Sequence, residues 1–519
     1  MAPAATAFDD SLPNLPKDVR PPITSYTPSM WGDAFTSFSL DEKVQKEYAE
    51  AIQELKQQAR SMLMTKGSTT IEKLILIDTL ERLGVGYHFE QEIEDQLREI
   101  LFFQSQDKDQ DNYDLFATAL QFRLLRQHRY SVSCNVFNKF KDDDGKFEET
   151  LTSDAKGLLS LYEASNRRCK GVPRLEARHY ISFYERNESK NEILLKLAKL
   201  DFNYLQNIYK KELHDLSRWW NELDLVSKLP YVRDRLVEGY FWGMALNFQP
   251  QHSYARIEIT KSVLMLTIVD DTYDNYATVE EADLFTEILE KWDINELDRL
   301  PDYMKIIYKF ILNLYEDYEV EAAKQGKLFA VPYAKEAVKQ IAKAYNRHTQ
   351  WFLGGQMPAY EEYLVNTIVT SCIYVFLTVG IPGLKSVSKE SIDWLMSEPN
   401  KALIASTRIC RHADDIGSDE RESRGGNIPT AVDCYVKQYG VSKEETVDKF
   451  NELFENAWKD FNTEWSTEIS IVSKDMMEQL LNYARAGEVI YRNGRDSFTN
   501  PQNYLAGEIP ALFVDPIVI

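Results

Sequence analysis

Residues that interrupt helices are scarce in this chain. Glycine occurs 21 times and proline 18 times in 519 residues, and glycine falls well below its usual share of about 7 per cent. Few helix breakers, in a chain rich in leucine, glutamate, lysine and alanine, favour long helices. The composition therefore predicts an all-α fold.

Other absences exclude classes of partner and compartment. Lysine and arginine total 60 against 82 aspartates and glutamates, a net charge of −22, which argues against nucleic acid and anionic membrane surfaces as partners. The five cysteines are widely spaced without a C-x-x-C pair, as expected in a reducing compartment without structural disulfides or zinc. No apolar run reaches about 18 residues, so we predict no membrane span. The first residues resemble neither a signal nor a transit peptide, and we expect a cytoplasmic protein.

The length of the chain suggests two to four domains. Residues 1–35 contain six prolines and are predicted to form an extended strap pinned by Trp31 and Phe35. Helical periodicity begins soon afterwards. We expect an N-terminal all-α domain at residues 36–215 and a catalytic all-α domain at residues 216–519.

Two acidic clusters are the strongest chemical signal. The first is D-D-T-Y-D at residues 270–274, directly after the apolar segment 263–269. On a helix, Asp270 and Asp274 share one face. In the second cluster, side-chain oxygens recur every fourth residue, at Asp414, Ser418 and Glu422.

Carboxylates this close repel one another and prefer water to an apolar wall, so a multivalent cation between the clusters would explain them. The donors are hard oxygens, the clusters hold no cysteine and only one histidine, and Mg²⁺ or Mn²⁺ is therefore favoured over Zn²⁺. Protein-bound Mg²⁺ usually shares its coordination with phosphate oxygens. The clusters therefore predict a diphosphate or nucleotide substrate.

Alternatives remain at this point. Each cluster could be a solvated acidic patch, and the segment before Asp270 could be a buried strand, as in a nucleotide-sugar transferase or a phosphatase. No glycine-rich phosphate loop or βαβ rhythm accompanies it, which favours a helix. Residues 417–428 and 493–502 have loop composition and are predicted to be either mobile lids or simple surface loops.

Over nearly its whole length the chain resembles the plant terpene synthases, and within them the sesquiterpene synthases. The second acidic cluster fits the specific motif (N/D)-D-x-x-(S/T)-x-x-x-E in its aspartate form. The other segments that carry the resemblance are Y-T-P-S-M-W-G-D at 26–33, L-L-S-L-Y-E-A-S at 158–165, R-W-W at 218–220 and L-P-Y-V-R-D-R at 229–235.

The resemblance implies two all-α domains: an N-terminal helical barrel-like domain, and a C-terminal class I terpenoid synthase helical barrel. It implies a carbon–oxygen lyase that ionises a prenyl diphosphate with three Mg²⁺ ions, or with Mn²⁺ in their place. By motif, one set of metal ligands would be Asp270 and Asp274, with Asp271 near them. The other set would be Asp414, Ser418 and Glu422.

The resemblance also assigns residues around the substrate. Arg233, Arg235 and Arg411 would clamp the diphosphate. The aromatic side chains that would line the pocket are Trp242, Tyr374 and Tyr491. The family's helix break, whose oxygens face the pocket, matches Thr370 and Ser371. Cys372 departs from the third hydroxyl that some members carry at this break.

Two further departures bear on substrate and proton transfer. Arg20-Pro21 replaces the paired arginines of monoterpene members, which favours farnesyl over geranyl diphosphate. Near the C terminus, Tyr491 is followed by Asp496, but Phe498 stands where some members have a second tyrosine. Asp496 would then either relay a proton or anchor a lid.

We expect a monomer. A monoterpene synthase acting on geranyl diphosphate, a trans-prenyltransferase and an inactive helical paralogue used as a scaffold remain alternatives. A prenyltransferase would normally repeat D-D-x-x-D in the second cluster, and this chain does not.

Overall fold

The computed structural model describes residues 26–104, 113–165, 171–397, 400–426, 430–467 and 472–519, without the side chains of 103–104 and 418–426. Within these ranges every regular element is a helix, apart from an isolated bridge between Lys141 and Phe147. The prediction of an all-α fold is confirmed. The alternative of a strand before Asp270 is excluded, because residues 253–275 form one helix.

Contacts divide the chain into two compact units. One comprises Leu40–Ile208, Asn462–Ile469 and Ala511–Ile519. The helices that begin in its first segment are α1 (Glu42–Leu63), α2 (Thr70–Arg82), α3 (Glu90–Gln104), α4 (Leu115–Gln127), α5 (Ala155–Ser165), α6 (Pro173–Glu185) and α7 (Glu192–Leu223).

A buried polar junction joins three helices of this unit. His128, just after α4, lies between Glu81 of α2 and Glu94 of α3, with each ring nitrogen 2.6 Å from a carboxylate oxygen. Burial opposes the charge on His128, but the two carboxylates outweigh it and raise the pKa of His128 to about 9. The imidazolium therefore ties α2, α3 and α4 together at neutral pH.

The last residues of the chain return to this unit. Asn203 Nδ2 donates to the Ile517 carbonyl at 2.8 Å, and Lys199 Nζ donates to the Val518 carbonyl at 2.8 Å. Trp465 Nε1 donates to the Gln127 carbonyl at 3.1 Å. The continuous ranges expected from the sequence did not anticipate these return segments.

The other unit comprises the described part of Met1–Ser39 together with Tyr209–Phe461 and Ser470–Pro510. Its helices are α8 (Leu225–Lys228), α9 (Leu236–Leu246), α10 (Ser253–Asn275), α11 (Val279–Lys291), α12 (Asp302–Lys324), α13 (Val331–Leu353), α14 (Tyr360–Thr370), α15 (Ile373–Gly380), α16 (Lys389–Leu395), α17 (Lys401–Gly426), α18 (Ala431–Tyr439), α19 (Lys443–Trp465), α20 (Lys474–Ile490) and α21 (Leu505–Phe513).

The core of this second unit is built on α9 and α10. All eleven residues of α9 are buried, as expected for a helix that is apolar on every side. Gly243 allows the two helices to approach closely, since a Cβ at this position would lie 2.5 Å from the Arg256 carbonyl oxygen. This contact fixes the position of α10, whose last turn carries the first acidic cluster.

The segment Tyr360–Gly383 is long and apolar enough to cross a membrane, but 67% of its most apolar window is buried inside the protein. It is also divided into α14 and α15 by Cys372, whose φ is 64°. Core packing explains its apolar character, since a buried helix must be apolar on all sides.

Candidate active site

The first acidic cluster lies at the C-terminal end of α10. Asp270 and Asp274 are half-buried, one helical turn apart. Asp271, by contrast, is fully buried. Burial raises the pKa of Asp271, and Arg233 offsets part of that rise. The three aspartates therefore occupy two different environments.

Arg233 is the centre of a buried charge network. Its main-chain N–H donates to Asp271 Oδ2 at 2.7 Å, and its Nε lies 2.9 Å from Asp271 Oδ1. Its Nη2 donates to Asp270 Oδ2 at 2.5 Å and its Nη1 to Thr499 Oγ1 at 3.1 Å. Burial opposes the charge of Arg233, but Asp271 and Asp270 hold its pKa well above the usual value. The ring of Tyr26 lies 5.2 Å from the guanidinium carbon.

Arg235 is bound quite differently. It is buried, and its guanidinium donates mainly to main-chain carbonyls: Nε to Thr499 O at 3.2 Å, Nη1 to Asp234 O at 2.7 Å and Nη2 to Thr27 O at 3.0 Å. Nη2 also donates to Thr499 O at 2.8 Å. Burial lowers the pKa of Arg235. The prediction that Arg235 clamps the diphosphate stays a prediction, and this environment does not favour it.

The second acidic cluster lies on α17 and has its own arginine. Arg411 Nη1 lies 2.5 Å from Asp414 Oδ2, and Nη2 donates to Asp415 Oδ1 at 2.6 Å. Although burial opposes its charge, these carboxylates hold the pKa of Arg411 well above the usual value. The helix continues through positions 418 and 422, but the side chains of Ser418 and Glu422 lie outside the described residues.

A C-terminal turn connects the two clusters. Asp496 Oδ1 accepts the main-chain N–H groups of Phe498 and Thr499, both at 2.9 Å, and Thr499 in turn contacts Arg233. On its other side the segment packs against α17, where a Cβ at Gly417 would lie 3.3 Å from the main chain of Arg495.

The prediction that residues 417–428 begin a mobile loop is wrong up to residue 426, because α17 extends to that point. Gly417 serves close packing rather than mobility. Residues 427–428 lie outside the described part of the chain.

Tyr491 stands between the second cluster and this turn. Burial raises the pKa of Tyr491 well above the usual value, and the nearby carboxylates of Asp414 and Asp496 add to the rise. The hydroxyl is therefore held protonated. This environment suits a hydrogen-bond donor or a positioned dipole better than a phenolate.

The predicted helix break is present between α14 and α15. Cys372 adopts the left-handed conformation, which is costly for a residue other than glycine and is typical of functional sites. Its Sγ lies 3.4 Å from Tyr345 Oη and 3.4 Å from the Thr370 carbonyl oxygen. The Ser371 hydroxyl donates back to Ile368 O at 2.6 Å. Tyr374 is half-buried on the first turn of α15.

This break lies near both acidic clusters. The pKa of the Cys372 thiol is raised to about 12, chiefly by burial; the hydrogen bond with Tyr345 opposes the rise, the charge of Asp270 adds to it, and the charge of Arg411 opposes it. One thiol thus responds to a carboxylate of the first cluster and to the arginine of the second. The two clusters and the break therefore lie in one region of the protein.

Aromatic rings form one wall of this region. Trp242 of α9 stacks on Tyr483 of α20, with ring centroids 5.4 Å apart and an interplanar angle of 29°. Phe376 of α15 lies 5.8 Å from Trp242. The Tyr483 hydroxyl donates to the Ser371 carbonyl at 2.8 Å, which joins the aromatic group to the helix break.

The described donors fit a hard divalent cation by their chemistry. Asp270 and Asp274 offer carboxylates one turn apart, and Asp414 offers a third on α17. Among the side chains that the structure describes, no three metal-binding groups converge on one point. Arg233 and Arg411 now neutralise Asp270 and Asp414, a role that a bound cation would take over.

Sequence reasoning missed three residues of this site. Tyr483 lies about two helical turns before Tyr491, a spacing that could have indicated it. Phe376 follows Cys372 by one turn of the helix and could have been found in the same way. No local pattern points to Thr499, because its contacts with Arg233 and Arg235 span more than 260 residues of sequence.

Comparisons with known proteins agree with this geometry. The chain matches the model of the terpene synthase N-terminal domain over residues 30–185 and that of the terpene synthase family metal-binding domain over residues 221–460. The chain therefore belongs to the terpene synthase family.

Curated relatives align over almost the whole chain. A gamma-cadinene synthase from Ocimum basilicum is 50% identical, covering 97% of this chain and 99% of the relative. A tau-cadinol synthase from Lavandula angustifolia is 46% identical, covering 96% and 98%. The likeness thus extends through both units.

Solved structures share the fold. A limonene synthase bound to 2-fluorolinalyl diphosphate matches with a TM-score of 0.88 at 29% identity, covering 95% of this chain and 99% of that one. Isoprene synthase from grey poplar (Populus x canescens), in complex with three Mg²⁺ ions and dimethylallyl-S-thiolodiphosphate, matches with a TM-score of 0.83 at 30% identity, covering 91% and 98%.

Proposed function

We propose that this chain is a sesquiterpene synthase, which ionises farnesyl diphosphate and converts the resulting cation into a fifteen-carbon terpene. The observation that carries the proposal is the arrangement of two arginine–aspartate pairs, Arg233–Asp270 and Arg411–Asp414, around a region walled by aromatic rings. The relatives named for cadinene and cadinol, which are fifteen-carbon terpenes, support this substrate length.

Mg²⁺ is the proposed cofactor, with three ions per site and Mn²⁺ as a substitute. Bound metal would stabilise the negative charge that develops on the departing diphosphate. Asp270 and Asp274 would hold ions on α10. Asp414, Ser418 and Glu422 would hold an ion on α17. The grey poplar synthase supports the number of ions.

Arg233 and Arg411 would bind the diphosphate by exchanging partners. Each guanidinium now donates to an aspartate that we assign to metal. With cation and diphosphate bound, Asp270 and Asp414 would hold the cation, and the guanidinium groups of Arg233 and Arg411 would donate to phosphate oxygens. The exchange keeps every buried charge neutralised, because one pair of opposite charges replaces another.

The carbocation would be held by groups that stabilise it without capturing it. The faces of Trp242, Phe376 and Tyr483 offer quadrupole attraction. Near the helix break, the carbonyl oxygens of Thr370 and Ser371 add negative dipoles. Stabilisation by these aromatic faces would let the cation rearrange before it loses a proton or captures water.

The end of the reaction would involve Tyr491. Its hydroxyl is buried beside Asp414 and Asp496, so it stays protonated and can donate a hydrogen bond to a neutral intermediate. Tyr374 would add a further polar group beside the break. Asp496 holds the turn through the main-chain N–H groups of Phe498 and Thr499.

A direct competition tests the proposal. Purified protein receives equal concentrations of farnesyl and geranyl diphosphate with Mg²⁺, and gas chromatography with mass spectrometry identifies the products. Fifteen-carbon products should dominate. Dominant ten-carbon products would favour a monoterpene synthase, and a longer prenyl diphosphate, formed when isopentenyl diphosphate is added, would favour a prenyltransferase.

A cytoplasmic location and a monomeric state stay predictions. Imaging of the tagged protein tests the first, and size-exclusion chromatography with light scattering tests the second.

A further inference from the structure

The two arginines of the 233–235 segment differ in the partners that hold them. Arg233 contacts two carboxylates and can exchange that of Asp270 for phosphate oxygens, while Asp271 keeps holding it. Arg235 donates chiefly to the carbonyls of Asp234, Thr27 and Thr499. Those carbonyls cannot move without the backbone, and a buried carbonyl or guanidinium left without its partner is costly.

The partners of Arg235 come from two distant parts of the chain. Thr27 belongs to the N-terminal segment that also contacts the first cluster, where Asn275 Nδ2 donates to Tyr26 Oη at 2.7 Å. Thr499 belongs to the turn closed by Asp496. Arg235 Nη2 reaches both carbonyls, at 3.0 and 2.8 Å.

Thr499 is the shared member of the network. Its carbonyl accepts from Arg235, its hydroxyl accepts from Arg233 Nη1, and its N–H donates to Asp496. A displacement of this residue therefore changes the support of Arg233 directly. Side chains that bind a reacting group need such support, because small displacements reduce rates strongly.

We infer that Arg235 and Thr499 are positioning residues: Arg235 ties residues 26–27 to the turn at 496–499, and Thr499 holds Arg233 in place for the diphosphate. Arg235 itself does not contact the diphosphate. The statement about diphosphate rests on the proposed function, whereas the tie between the two segments does not.

Hydrogen–deuterium exchange of the ligand-free protein tests the tie. Arg235→Lys keeps the charge but cannot span the same carbonyls. It should speed amide exchange roughly tenfold in peptides covering both 26–31 and 496–500. Arg411→Lys is the matched control, since it alters a clamp arginine away from the tie, and exchange in both peptides should stay as in the wild type. Unchanged exchange in Arg235→Lys would overturn the inference.

If Arg235→Lys does not fold, Asp496→Ala gives the decision. This variant removes the acceptor that closes the turn. It should speed exchange in residues 26–31 as well, although the Asp496 side chain bonds to Phe498 and Thr499 and acts on residues 26–31 only through Arg235. Unchanged exchange there would overturn the tie. Because no substrate is present, neither result depends on the proposed function.

Inorganic pyrophosphate with Mg²⁺ tests the support of Arg233. Thr499→Val removes the hydroxyl but keeps the carbonyl, so pyrophosphate affinity should fall roughly tenfold with no change of exchange in residues 26–31. Thr499→Ser should restore the affinity. Equal pyrophosphate affinities for Thr499→Val, Thr499→Ser and the wild type would contradict the support of Arg233 by Thr499. Failure of all three proteins, the wild type included, to bind pyrophosphate would refute the proposed function instead.

Discussion

The main-chain N–H of Arg233 donates to Asp271 at 2.7 Å, and the Arg233 Nε lies 2.9 Å from the other oxygen of the same carboxylate. Asp271 is fully buried and also accepts from Asn275 Nδ2 at 3.3 Å. The middle aspartate of the first cluster thus serves to orient an arginine, whereas its neighbour Asp270 is half-exposed and suited to metal.

This difference predicts that Asp271→Asn and Asp270→Asn will have different kinetic effects. Asp271→Asn weakens the support of Arg233 and should lower kcat/KM about 10- to 100-fold without altering the Mg²⁺ concentration for half-maximal rate. Asp270→Asn should raise that Mg²⁺ concentration. Mg²⁺ titrations of both variants provide the measurement, and a raised metal requirement in Asp271→Asn would make it a ligand after all.

The turn at Asp496 gives a second matched pair. Asn at this position retains an oxygen that can accept from Phe498 and Thr499, so Asp496→Asn tests the charge, while Asp496→Ala tests the turn. We expect Asp496→Ala to lower kcat/KM more strongly than Asp496→Asn. Product analysis distinguishes a relay: a changed product mixture in Asp496→Asn at near-normal rate would show that the carboxylate acts on a proton. Wild-type rate and products in both variants would exclude the residue from both roles.

Tyr483 should influence products more than rate. Tyr483→Phe keeps the stacking on Trp242 but loses the hydrogen bond to the Ser371 carbonyl at the helix break. We expect an altered product ratio. The kcat should fall by less than about tenfold, because only one neutral hydrogen bond is lost. Gas chromatography measures the ratio; Tyr318→Phe, which removes another buried tyrosine hydroxyl bonded to the Thr378 carbonyl, is the control and should keep the wild-type products.

The buried histidine of the N-terminal helices should make stability depend on pH. The pKa of His128 is raised to about 9 in the folded protein, against about 6.5 when unfolded. The contribution of His128 to the free energy of unfolding is therefore fully present below about pH 6.5 and is lost as pH rises through about 9. In total it amounts to about 3 kcal/mol. Urea unfolding between pH 6 and 10 measures it. His128→Gln should flatten this slope, and an equal slope in both proteins would contradict the assignment.

Much of the architecture could be predicted from the sequence, because it depends on local composition and periodicity. The helix that carries Asp270 was found where the sequence pattern favours one, and the helix break near Cys372 was found where the family resemblance implies it. Within the described residues every regular element is a helix, as the composition predicts.

The remaining features depend on distant contacts that no local pattern encodes. Arg235 is an arginine, the residue type expected of a diphosphate clamp. Only the structure shows that its guanidinium N–H groups donate to main-chain carbonyls. The segment after Gly417 has loop composition, yet it continues α17, and the close approach of the C-terminal segment explains the glycine at position 417. Thr499 belongs to no motif in the sequence, yet in the structure it contacts Arg233, Arg235 and Asp496.

Metal-dependent release of diphosphate is the central claim, and its rate is the most direct measurement. Pyrophosphate released from farnesyl diphosphate is followed for the wild type in Mg²⁺, in EDTA, and for Asp270→Ala and Glu422→Ala in Mg²⁺. We predict release only with metal, a loss of at least about 100-fold in each variant, and unchanged helical circular dichroism. Wild-type release in EDTA, or full activity in both variants, would contradict the account.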